Sequence, residues 1–185
     1  MLFGDRRTFA IEAMVEPHLQ APSAAWGRLC IWCEDVCIGD FAEEHCGLYD
    51  SYDGFRSVLA NLHSLWRAEF ADLSDRDLWN LLDEKLYGHH GDVAIEDNRT
   101  MAQITQDAQT YGRFNFLTNW GEQFDRDGKS FIVCTPEQQV RILNLSLPPS
   151  KGIVLRVSMF PVSASIRAFL KWFEGEAGRL GHPVA

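Results

Sequence analysis

Phe9, Ile11, Ala13 and Val15 alternate with Ala10, Glu12, Met14 and Glu16, the two-residue period of a half-buried strand, and Pro17 closes the run. A loop over 18–25 follows. Residues 26–33 and 36–41 then read as two more strands around the turn residues Glu34 and Asp35, which completes an amino-terminal meander. The polar stretch 42–53 reads as an exposed connection, because Gly47 and Gly54 discourage regular structure there. The period then changes. Phe55, Val58, Leu59, Leu62 and Leu65 or Trp66 recur at the three-and-four spacing of one helix face, predicting a helix over 53–67. Ser74 is placed to cap a second helix, with Asp75 and Asp77 in its first turn, Leu78, Leu81, Leu82 and Leu86 as its buried stripe, and Gly88 as its stop. Residues 88–99 read as an irregular polar loop, and 100–111 as a third helix with a thin stripe of Met101, Ile104 and Ala108.

The stretch 113–134 reads as a hairpin. Phe114, Phe116 and Thr118 alternate in one arm, and Phe131 and Val133 in the other. Asn119 and Gly121 suit a tight, positive-φ bend, and Asp125 to Gly128 supplies the Asp-Gly pair of a second turn. Trp120 and Phe124 are expected to fold back onto the sheet, since large aromatic rings lose most by staying in water. Strands over 139–145 and 153–158 follow, separated by Pro148, Pro149 and Gly152. Pro161 and Ser163 introduce a last helix with Ile166, Phe169, Leu170 and Phe173 on one face. It is expected to fray at Gly175 and Gly178 into a loose tail over about 179–185. Strands with helices inserted, and no strict alternation, indicate α+β. The expected architecture is one domain over 1–185, with an antiparallel sheet of about six or seven strands and three or four helices mainly on one face.

The run Phe116-Leu-Thr-Asn-Trp-Gly-Glu-Gln-Phe-Asp125 resembles a motif of the immunity protein 42 family of bacterial polymorphic-toxin systems. The opening Phe3-Gly-Asp5 and Thr8-Phe-Ala-Ile-Glu12 share the likeness, as does the extended segment 138–143 that follows the hairpin. The span 50–111 matches only loosely. The resemblance implies a small cytosolic protein that binds and silences one toxin domain, and it brings no catalytic residues with it. Phe116, Asn119, Trp120, Gly121, Phe124 and Asp125 are its structural motif.

Composition narrows the partners. The chain has 185 residues, 46% hydrophobic and 12% aromatic, which suits a globular domain. It shows neither a basic, apolar leader nor an apolar run long enough to span a bilayer, so a cytoplasmic location is expected. Five cysteines, an odd number scattered through apolar strands, read as reduced thiols. Up to residue 112 there are 20 acidic and 8 basic side chains, and after it 6 and 9, within a net charge of -9. That balance argues against nucleic acid, which needs clustered cations, and favours a basic protein partner. A monomer or weak homodimer is expected.

Four groups of residues invite chemistry. Cys30, Cys33, Cys37, His45 and Cys46 have the composition of a zinc site, but residues 30 and 33 point to opposite faces of a regular strand, so buried structural thiols are expected. His89, His90 and Asp92 give the alternative of a small metal-dependent enzyme, although no further catalytic motif accompanies them; an adaptor module is the other alternative. Asn119, Glu122, Gln123 and Asp125 are expected to satisfy the backbone of their loop. Asp72, Asp75, Asp77, Asp83 and Glu84, with Glu43 and Glu44, are the expected toxin-binding surface, because a negative patch steers a basic partner. The expected mechanism is occlusion without cofactor or metal.

Overall fold

A computed structural model describes residues 1–91 and 93–184. It is α+β with antiparallel sheets, as expected, but the strands divide between two main sheets and a two-stranded ribbon where one sheet was expected. The first sheet contains β1 (Leu2–Asp5), β2 (Phe9–Val15), β3 (Trp26–Cys33) and β4 (Val36–Ile38) in that order, and β5 (Cys46–Gly47) pairs with the start of β3. The helix α1 follows at Tyr49–Asn61, then α2 at Asp75–Tyr87. A short ribbon, β6 (His89–His90) with β7 (Val93–Ala94), and α3 (Met101–Tyr111) lead to the second sheet. That sheet runs β11 (Val154–Ser158), β10 (Gln139–Asn144), β9 (Ser130–Cys134), β8 (Asn115–Phe116), and α4 (Met159–Arg179) ends the chain.

The helices are built from the residues that predicted them, with shifted ends. The Ser74 side chain accepts the Asp77 N–H, and Gly88 closes α2 in the left-handed conformation. At α3, Thr100 and Gln103 form a reciprocal capping box, which compensates for a face that buries only Tyr111. Helix α1 starts four residues before expectation, and Gly54 lies inside it. A Cβ at 54 would sit within the indole of Trp120, so this glycine gives up helix propensity to let a ring lie on the helix backbone. Helix α4 does not fray at Gly175 or Gly178. Ala177 and Leu180 are buried, the Ser23 N–H donates to Leu180 O at 3.0 Å, and the Tyr49 hydroxyl donates to His182 O at 3.1 Å, so the expected loose tail is tied down through His182. The loop expected over 88–99 contains the β6–β7 ribbon, and the strand Leu2–Asp5 was not foreseen because four residues carry too little alternation.

One contiguous core joins the two sheets. Helix α4 lies on β1 and β2 so closely that Ser165 donates to Phe9 O at 3.1 Å and a side chain at Gly4 would collide with both. Phe55 of α1 meets Phe169 of α4 at 5.2 Å and Trp120 at 5.2 Å, both edge-on.

Candidate functional site

The hairpin stretch is a hub. Its first arm is only the two residues of β8, paired with Ser130 and Phe131, because Leu117 and Asn119 take positive φ (65° and 63°) and end the strand early. Trp120 and Phe124 are buried, as expected. The Trp120 indole covers Gly54, and the Phe124 ring fills the space a side chain at Gly39 would take, where φ of +100° also ends β4 three residues before expectation. The expected satisfaction of backbone groups holds in part. Ser51 donates to Trp120 O at 2.7 Å, Gln123 Nε2 donates to Ser51 Oγ at 3.1 Å, and the Asp40 N–H donates to Gln123 O at 2.7 Å. Asp127 accepts the Gly39 N–H at 2.5 Å, while burial raises its carboxyl above the usual range. Asn119, Glu122 and Asp125 take no part in this network. They are exposed, and no hydrogen bond or ion pair holds their side chains among the described residues.

Those three residues border a concavity of about 360 Å³ with Gly121, Gly47, Asp50 and Trp26. Trp26 opens β3 and is 44% exposed, unusual for so large an apolar ring. Gly47 of β5 stands opposite it in the strand register, where an added Cβ would touch the ring. Asp50 projects from the first turn of α1 and is exposed. The nearby cations are already engaged: Arg28 pairs with Glu44 and lies 3.7 Å from Glu16, and Arg126 pairs with Asp40 at 3.0 Å and reaches Glu43 at 4.0 Å. Burial, and after it the charge of Glu122, raises the thiol of Cys46 beneath the rim, an effect to which Asp125 adds.

The acidic residues of α2 have more internal work than expected. Asp83 is fully buried, donating nothing to the surface: Lys129 Nζ lies 2.6 Å from one oxygen, and the Gly91 N–H donates to the other at 2.8 Å. Its ion pair ties α2 to the residue that precedes β9 and withdraws Asp83 from the exposed face on which it was expected; a stripe of carboxylates on a helix does not reveal which one meets a cation from elsewhere. Asp75 is half-buried and pairs with Arg156 and, at 3.6 Å, Arg141 of the second sheet. Asp77 accepts the Ser74 hydroxyl at 2.6 Å, and Glu84 lies 3.1 Å from His90 Nε2. Asp77 and Glu84 also border a groove with Leu73, Leu81 and Tyr111 between α2 and α3. Asp72 is exposed.

The remaining candidates do not assemble. Cys30 and Cys33 are both buried with different neighbours: the Cys30 thiol is raised by its hydrogen bond to Cys37 and by burial, and Cys33 is pushed up to about 12 by burial. His89 and His90 occupy successive positions of β6, and Asp92 lies outside the described residues. Among the described residues no three His, Cys, Asp or Glu side chains are grouped to hold a metal ion.

The family model for immunity protein 42 matches residues 1–157. The chain belongs to the immunity protein 42 family. Its function is toxin-neutralising immunity, and family membership points to a non-catalytic role. The crystal structure of CdiI from Burkholderia dolosa AUO158 has the same fold, with a TM-score of 0.57 and 17% identity over 93% of this immunity protein and 99% of that chain. No curated protein matches. Among the described residues of the immunity protein, no helix is long and apolar enough to cross a membrane.

Proposed function

We propose that this protein protects the cytoplasm by stoichiometric occlusion: it binds a basic toxin domain as one unit over 1–185 and keeps that domain from its substrate. The family match over 1–157 carries the reading. Occlusion is supported by an exterior on which Asp50, Asp72, Glu122 and Asp125 stand without a paired cation among the described residues, within a net charge of -9. Such a surface repels nucleic acid and anionic lipid and attracts a cationic protein. Asp77, Glu84, Glu43 and Glu44 add to that field although each has an internal partner, and the protein acts as a monomer. Titrating the purified protein into its toxin tests this. Toxin activity is expected to fall in proportion to added protein and vanish at equimolar ratio, with a one-to-one complex on light scattering. Complete inactivation by a small fraction of an equivalent would indicate turnover and overturn the reading.

A further inference from the structure

The described residues that line the concavity around Trp26 supply acceptors and a π face but no cation. Asp50, Glu122 and Asp125 contribute carboxylates, and Asn119 an amide, all on the exposed rim. A second feature lies behind the wall. Gln123 is fully buried, and its Oε1 has no donor among the described residues. That oxygen occupies the space a side chain at Gly121 would take, so the wall at Gly121 has room only for a glycine. The donor that suits the rim itself is a cationic one, because hydrogen bonds to ionised carboxylates are the strong ones. The exposed indole of Trp26 supplies what such a donor needs beyond charge, since a guanidinium is attracted to the face of an indole ring.

Resting on the toxin-binding reading above, we propose that this concavity receives an arginine side chain of the toxin domain, with Trp26 as the stacking face and Glu122, Asp125 and Asp50 as the carboxylates that hold the guanidinium. Arginine fits better than lysine. Its planar fork stacks and donates in several directions at once, and it matches carboxylates two bonds at a time. The arrangement has the parts of an interface centre: one large aromatic residue beside carboxylates, within a rim of polar groups. Through β5 the chain leads from this surface back to Glu43 and Glu44, and none of its lining residues comes from α2.

The test uses the full chain and an inactivated form of its toxin domain, with affinity measured by titration calorimetry and folding checked by thermal melting. Trp26→Ala is expected to weaken binding by about 30-fold or more, the range of an interface hot spot, and Trp26→Phe to recover most of that loss by restoring a π face. Glu122→Gln with Asp125→Asn, on side chains the fold does not use, is expected to weaken binding at least tenfold with an unchanged melting temperature. Parental affinity in Trp26→Ala and in the double variant overturns the arginine site while leaving occlusion in place. A parent chain that neither binds the toxin nor protects against it overturns occlusion, and this site with it. Loss of binding in Trp26→Ala that Trp26→Phe does not recover, with the double variant unaffected, also overturns the site.

Discussion

Gly54 shows how one residue can be misread in both directions. In a sequence it weakens a helix by about 1 kcal/mol relative to alanine. Here it sits inside α1 because Trp120 rests on it, so Gly54→Ala is expected to destabilise the protein by about 1–3 kcal/mol through overpacking instead of gaining propensity. Chemical denaturation of that variant checks the sign. Trp120→Ala removes the ring from contacts with Phe55 and Phe116 and is expected to cost about 3–5 kcal/mol by the same measurement. The cysteines divide by environment and not by motif. The Cys37 thiol is exposed and lowered by the hydrogen bond from Cys30, whereas burial raises Cys33 to about 12. The thiolate is the reactive form. Timed alkylation of the native protein followed by mass spectrometry is therefore expected to label Cys37 first and Cys33 among the last.

At the scale of elements, α2 illustrates why a charged stripe is not automatically a surface. Its cap and stop were legible, since Ser74 and Gly88 act locally and need no tertiary partner. Asp83 was not, because Lys129 is distant in sequence and meets it only when β9 packs against the helix. Asp83→Ala leaves Lys129 without its partner and the Gly91 N–H without its acceptor, at an expected cost of about 3–5 kcal/mol. Asp72→Asn, on the exposed side of the same region, is expected to change stability by less than about 0.5 kcal/mol. Equal effects of the two substitutions on the denaturation midpoint would contradict this account. The central hairpin follows the same logic: the pairing of β8 with β9 was legible from alternation, but the strand stops after Phe116 because positive φ at Leu117 and Asn119 turns the loop toward α1 and β4.

For the whole molecule, the charge distribution predicts how association proceeds. On the proposed reading, carboxylates without cations attract a basic toxin over distances comparable to the Debye length, about 10 Å at 0.1 M salt. The association rate constant is expected to fall about tenfold or more between 0.05 and 0.5 M salt, with a smaller change in the dissociation rate, in stopped-flow or biosensor kinetics. A salt-independent association rate would mean that apolar contact does the recognising. The fold places three of the available carboxylates, Asp50, Glu122 and Asp125, beside Trp26, at the junction of β3, β5, α1 and the loop after β8.

The sequence by itself determined the α+β class, the antiparallel pairing of neighbouring strands, the caps of α2, the burial of Trp120 and Phe124, and the excess of acid in the first two thirds. These depend on local period, on side-chain chemistry at helix ends, or on hydrophobicity, and all are written in short windows. Only the tertiary structure decided that the strands form two sheets, that the tail is anchored, which carboxylates are consumed by Lys129, Arg156, Arg28 and Arg126, and that Trp26, Asp50, Glu122 and Asp125 share one concavity. Those outcomes depend on contacts between residues from 16 to 86 or more positions apart, and no local pattern encodes which distant partner will arrive.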